Sequence, residues 1–150
     1  MKLSEALQER ADLNKRIEQL RVRLHNNATV QEGEQPAEDP AGLMRELDAC
    51  LSRLEELMGR INLTNCAARA ADLTLTQMLA KRDCLTLKVG AYRSFLDQAS
   101  QLAPRAARTE IKIVSTVKVA QIQHDVDGLS RELRALDAQI QALNWTTELL

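Results

Sequence analysis

The stretch VAQIQHDVDGLSRELRALDAQIQALNWTT, Val119 to Thr147, decides the fold class. Its seam positions Val119, Ile122, Val126, Leu129, Leu133, Leu136, Ile140, Leu143 and Thr147 are spaced 3,4,3,4,3,4,3,4. On a helix of roughly 3.6 residues per turn that spacing draws one stripe, the seam by which helices pack side by side. Asp125, Asp127, Arg131, Glu132, Arg134 and Asp137 fall on the remaining faces. Gly128 is the weak point, at about 1 kcal/mol relative to alanine in a helix interior.

The same pattern recurs upstream. Leu3, Ala6, Arg10, Leu13, Ile17, Leu20, Leu24 and Asn27 alternate by three and four, with Arg10 as the charged interruption. They predict a helix over 3–25, about 34 Å long at 1.5 Å per residue. Leu43, Leu47, Cys50, Leu54, Leu57, Ile61, Thr64 and Ala68 predict a second over 40–70, with Leu51 and Met58 widening its apolar face. Asp39 is placed to cap that helix, and Pro40 fits its first position, where an N–H is not needed. The polar end of this seam, Ile61 to Asn65, has two readings: a fraying helix, or hydrogen bonds to a neighbour. Met78, Arg82, Leu85, Val89, Tyr92, Leu96, Ala99 and Ala103 predict a third helix over 75–103, opened by a Thr74/Gln77 capping box, loosened by Arg82 and Gly90, and stopped at Pro104. The fourth covers 119–147.

Between the first two helices lies an acidic loop, 26–39, containing Gly33 and Pro36. Within 108–118 the β-branched Ile111, Ile113, Val114 and Val117 stand among Glu110, Lys112 and Lys118. That alternation predicts a short strand, which needs a partner in 29–34 or in another subunit; an irregular lead into the fourth helix is the competing reading. The expected fold is mainly α: one elongated helical domain over 1–150, built as long antiparallel helical hairpins or a bundle with coiled-coil-like seams, plus one short β-strand or hairpin element.

Composition narrows the function classes. Hydrophobic residues make up 45% of the chain, yet Trp145, Tyr92 and Phe95 are its only aromatics, so the core is aliphatic. Twenty basic and 21 acidic residues are interleaved to a net charge of −1, which argues against a nucleic-acid partner. Met1 to Arg10 has no apolar signal core, and no apolar run approaches the roughly 20 residues of a membrane span. A soluble, cytoplasmic protein is expected. Cys50, Cys66 and Cys84 fit neither a disulfide framework nor a zinc knuckle and read as reduced, mostly buried residues.

No phosphate-cradling glycine loop or nucleophile elbow occurs. His25 and His124 lie far apart in sequence, and the acidic loop residues Glu32, Glu34, Glu38 and Asp39 lack the ligand spacing of a calcium loop. The expectation is therefore no enzyme, with no catalytic, cofactor-binding or metal-binding residues and no small-molecule ligand. Polar residues beside the seams are candidates for fixing interface and register: Arg82, Asp83, Asn62, Asn65, Arg108, Glu110, Asn144 and Trp145.

Five strings, RADLNKRIEQLRVRL, VQEGEQPAEDP, RINLTN, RTEIKI and LDAQIQALNW, carry a similarity that spans nearly the whole chain, with the acidic loop and the RINLTN and NW strings its most specific parts. In them the sequence resembles the septicolysin-like family, small bacterial helical proteins of uncharacterised function. The family name implies a membrane-active, cytolysin-like protein. The narrow seams and polar faces of mixed charge argue against that activity. Helices of this length expose more apolar seam than a three- or four-helix monomer covers, so a non-enzymatic, homo-oligomeric structural or interaction protein that associates through its helix seams is expected.

Overall fold

Each heptad stripe becomes the inner edge of a helix. The computed structural model describes residues 1–101 and 112–150. Its elements are α1 (Leu3–Asn26), α2 (Pro40–Ala67), β1 (Arg69–Ala70), β2 (Leu73–Thr74), α3 (Leu75–Ser100) and α4 (Val119–Thr146). The chain is mainly helical, its helices pack against one another, and the sheet among the described residues is small and antiparallel. Two compact units divide it: Met1–Ala68 with Leu143–Leu150, and Arg69–Ala142.

In the first unit α1 and α2 form an antiparallel hairpin, since Glu9 meets Arg53, Arg16 meets Glu46 and Arg23 meets Glu38. Leu3, Ala6 and Leu20 from α1 are buried, as are Leu43, Leu57, Ile61 and Thr64 from α2. Buried leucines of this kind contribute about 1.5–3 kcal/mol each. Asp39 caps α2, its carboxylate accepting from the amides of Ala41 at 3.2 Å and Gly42 at 3.0 Å, with Pro40 at the first helical position. Asn27 shapes the loop between the helices: its side-chain amide donates to the Arg23 carbonyl at 2.9 Å, and its oxygen accepts the Glu38 N–H at 2.9 Å.

The last residues return to this hairpin. Leu3 N–H donates to the Thr147 carbonyl at 2.9 Å, and Leu149 N–H donates to the Met1 carbonyl at 2.9 Å. Thr64, 1% exposed, accepts the Leu150 N–H at 3.0 Å and donates to the Arg60 carbonyl at 2.8 Å. Arg60 Nε donates to the Leu150 carbonyl at 2.6 Å. Of the two readings of the polar end of α2, hydrogen bonding to a neighbour is the right one: the helix continues to Ala67, and the Leu150 backbone is the neighbour.

The second unit begins with the two-residue strands, Arg69 opposite Thr74 and Ala70 opposite Leu73. Their turn places Ala71 at φ 51°, a left-handed conformation that normally favours glycine. Thr74 then caps α3, its hydroxyl accepting the Gln77 N–H at 3.2 Å while Gln77 Oε1 accepts the Thr74 N–H at 2.9 Å. Between α3 and α4, Lys81 pairs with Glu132 at 3.3 Å and Arg93 donates to the Ser130 hydroxyl at 3.1 Å. Leu75, Met78, Leu85, Val89 and Leu96 are buried on α3, and Val126, Ser130, Leu136 and Ile140 on α4.

Three expectations are corrected. The β element among the described residues lies at 69–74; the described part of the expected strand, 112–118, is not strand, nor is 29–34, and 108–111 lie outside the described residues. Two-residue strands are too short to show a period-two signal. Leu51 and Met58 do not widen the buried face, being 45% and 46% exposed. Of the cysteines, Cys66 and Cys84 are exposed and Cys50 is half-buried.

Candidate interaction surfaces

The seam of the first hairpin has two unlike flanks. On one, long charged side chains close over the apolar contact: Arg53 Nε and Nη2 bond the two Glu9 oxygens at 2.6 and 3.0 Å. Arg23 engages Glu38 from Nε at 3.0 and 3.1 Å, and Arg16 holds Glu46. Hydrogen bonds from Arg53 hold the Glu9 carboxyl below its ordinary range, and Arg23 does the same for Glu38. Lys2, paired with Glu148 at 2.5 Å, likewise lowers the Glu148 carboxyl.

The other flank of α2 is apolar and bare. Met44, Leu51 and Met58 recur every seventh residue and are 56%, 45% and 46% exposed. Asp48 and Glu55, also exposed, lie between them, so this stripe is interrupted by acid.

In the second unit α3 carries uncharged seams on two sides. Opposite its buried seam runs a second one: Gln77, Ala80, Cys84, Leu87, Ala91, Ser94 and Gln98, spaced 3,4,3,4,3,4 and exposed at every position. None of these residues carries charge, and Leu87 beside Phe95 stands 74% and 46% exposed. At about 1.5 Å per residue this face is roughly 32 Å long. Sequence reading that followed a single seam per helix missed it; searching both sides of α3 for the 3,4 spacing would have found it.

A shallow cleft of about 360 Å³ in the same unit is lined by Lys88, His124, Asp125, Gly128, Leu129 and Glu132. Lys88 Nζ lies 5.6 Å from the Tyr92 ring centroid, a cation–π distance. Among the described residues, no three His, Cys, Asp or Glu side chains converge as a metal-binding group. Nor is any described helix long and apolar enough to cross a membrane.

The polar residues singled out from the sequence are divided between the units. Asn62 is exposed and Asn65 half-buried on α2, while Asn144 is half-buried and Trp145 68% exposed near the end of α4. In the RINLTN string it is Arg60 and Thr64 that bind the Leu150 backbone, so Asn62 and Asn65 were the less informative choices. Arg82 and Asp83 are together in the second unit, with Arg82 Nη2 donating to the Asp83 carboxylate at 2.8 Å. Arg108 and Glu110 lie outside the described residues. Sequence reading also missed the Glu9–Arg53, Arg16–Glu46 and Arg23–Glu38 pairs; the signal is opposite charge at facing positions, Glu9, Arg16 and Arg23 against Arg53, Glu46 and Glu38.

Long helices that pack against one another, with one small antiparallel strand pair among the described residues, define a mainly helical protein. The model of a family of unknown function, DUF6847, matches residues 10–149, and the chain belongs to that family. It is also similar, at 39% identity and a TM-score of 0.91 over 100% of this chain and 99% of the other, to a functionally unknown conserved protein from Corynebacterium diphtheriae known from its crystal structure. Comparison with curated proteins gave no match. The septicolysin-like resemblance is thereby overturned. Its most specific parts, the acidic loop and the RINLTN and NW strings, lie within the residues 10–149 that the DUF6847 model matches. Neither the family nor the crystallised relative has an assigned activity.

Proposed function

We propose that this protein is a non-enzymatic, homo-oligomeric structural or interaction protein. The supporting observation is the uncharged outer seam of α3, where Leu87 and Phe95 remain exposed. A helix with apolar residues on two sides is stabilised when both are covered, and each large side chain removed from water contributes about 1.5–3 kcal/mol. The exposed Met44, Leu51 and Met58 add apolar surface in the other unit.

Light scattering behind a sizing column tests this reading. A mass above the 16.8 kDa of one chain at micromolar concentration is expected; a monomer up to about 100 μM, where even micromolar affinity saturates, would contradict it.

A further inference from the structure

We propose that the outer face of α3 pairs with the same face of a second copy, the two helices parallel and in register. The inference rests on the homo-oligomer reading above and adds the surface, orientation and contacts. In heptad terms Gln77, Cys84, Ala91 and Gln98 take one core position of this seam, and Ala80, Leu87 and Ser94 the other. The residues flanking the core then decide which arrangement fits.

One flank carries Lys81, Lys88 and Phe95; the other carries Asp83, Gly90 and Asp97. An antiparallel twofold pair sets each flank against its own copy, bringing the lysines to lysines and the aspartates to aspartates, which is destabilising. A parallel pair sets each flank against the opposite one, so that a residue faces the one five positions further along the partner helix. Asp83 then faces Lys88 of the second copy, and by symmetry Lys88 faces Asp83. Both charges are exposed in the monomer, Asp83 carrying Arg82 and Lys88 standing over Tyr92.

The same offset sets Gly90 against Phe95 of the second copy. Phe95 is 46% exposed, and a Cβ built on Gly90 would meet nothing within 4 Å. An aromatic ring that needs cover faces a residue with no side chain, so size complementarity agrees with charge complementarity. The acid-interrupted Met44, Leu51 and Met58 stripe offers no comparable self-match, because a twofold pair across it would gather Asp48 and Glu55 from both copies.

Two measurements test the pairing. The charge reversal Asp83→Lys places two lysine pairs across the interface and is expected to weaken self-association about tenfold, on the scale of exposed ion pairs turned repulsive. The double reversal Asp83→Lys with Lys88→Asp is expected to restore it, with helicity followed by circular dichroism in each variant. Independently, in a Cys50→Ser, Cys66→Ser background, copper(II)-catalysed air oxidation is expected to join two Cys84 thiols as a disulfide-linked dimer. In-register parallel helices bring these residues near the Cα separation of about 4.4–6.8 Å that a disulfide needs, whereas an antiparallel pair centred on Leu87 would offset them by about 10 Å. An associating wild type with no Cys84 dimer and no response to charge reversal would overturn the pairing and leave oligomerisation standing. A monomeric wild type would overturn both.

Discussion

The α1–α2 hairpin and the helices α3 and α4 are built on seams of the same spacing and differ in what lies beside the seam. In the first, one flank is closed by arginine–carboxylate pairs, and the buried Thr64 receives the chain's returning end. In the second, Lys81–Glu132 and Arg93–Ser130 link α3 to α4, and α3 has an uncharged seam facing outward as well as one facing inward. A helix whose apolar residues all face one way is completed by its hairpin partner, while a helix with two apolar sides leaves one uncovered.

The largest expected effect strikes the completed hairpin. Leu57 is fully buried, and Leu57→Ala should cost about 2–5 kcal/mol in urea unfolding. The same truncation at Leu87, 74% exposed, should change the monomer's stability by less than about 0.5 kcal/mol. Equal losses at the two sites would break the comparison.

Next comes the returning end. Thr64→Val keeps the side chain's shape but leaves the Leu150 N–H without its acceptor, and should cost about 1–3 kcal/mol. No loss in chemical denaturation would mean that this end contributes nothing to the hairpin. In the second unit, Ala71→Gly should stabilise by about 1 kcal/mol, because φ 51° is strained for alanine and free for glycine. A decrease would argue against that turn geometry.

The smallest effect is on pH dependence. Glu9, Glu38 and Glu148 hold their protons less tightly folded than unfolded, so acidification favours the unfolded chain. Their contribution is complete above the ordinary carboxylate value of 4.5 and is lost as pH falls through the lower folded values. Urea midpoints should therefore decline from neutral pH toward pH 3, less steeply in Glu9→Gln with Glu38→Gln. An unchanged slope in that variant would remove the flank pairs from the explanation.

The helices were legible in the sequence because a 3,4 spacing sustained over several heptads has few other solutions; predicted ends at 25, 70, 103 and 147 compare with 26, 67, 100 and 146. The caps at Asp39 and Thr74 were legible because a side-chain oxygen beside a helix start has a specific task. The returning end was not, since backbone bonds from Leu3 to Thr147 leave no trace in residue type. The outer seam of α3 was present in the letters but hidden by the habit of assigning one seam to each helix. Asp83 was singled out for fixing register; its proposed partner is Lys88 of a second copy, which no reading confined to one chain would supply.

Sedimentation equilibrium of Leu87→Glu beside Leu51→Glu tests most directly whether the second unit's outer face is the one that associates. Both residues are exposed, so both variants should keep the wild-type helicity. The expected result is that Leu87→Glu sediments as a single chain of 16.8 kDa while Leu51→Glu retains the wild-type mass of a dimer. Dissociation by Leu51→Glu with Leu87→Glu still dimeric would place the association on the other hairpin and contradict the assignment to α3.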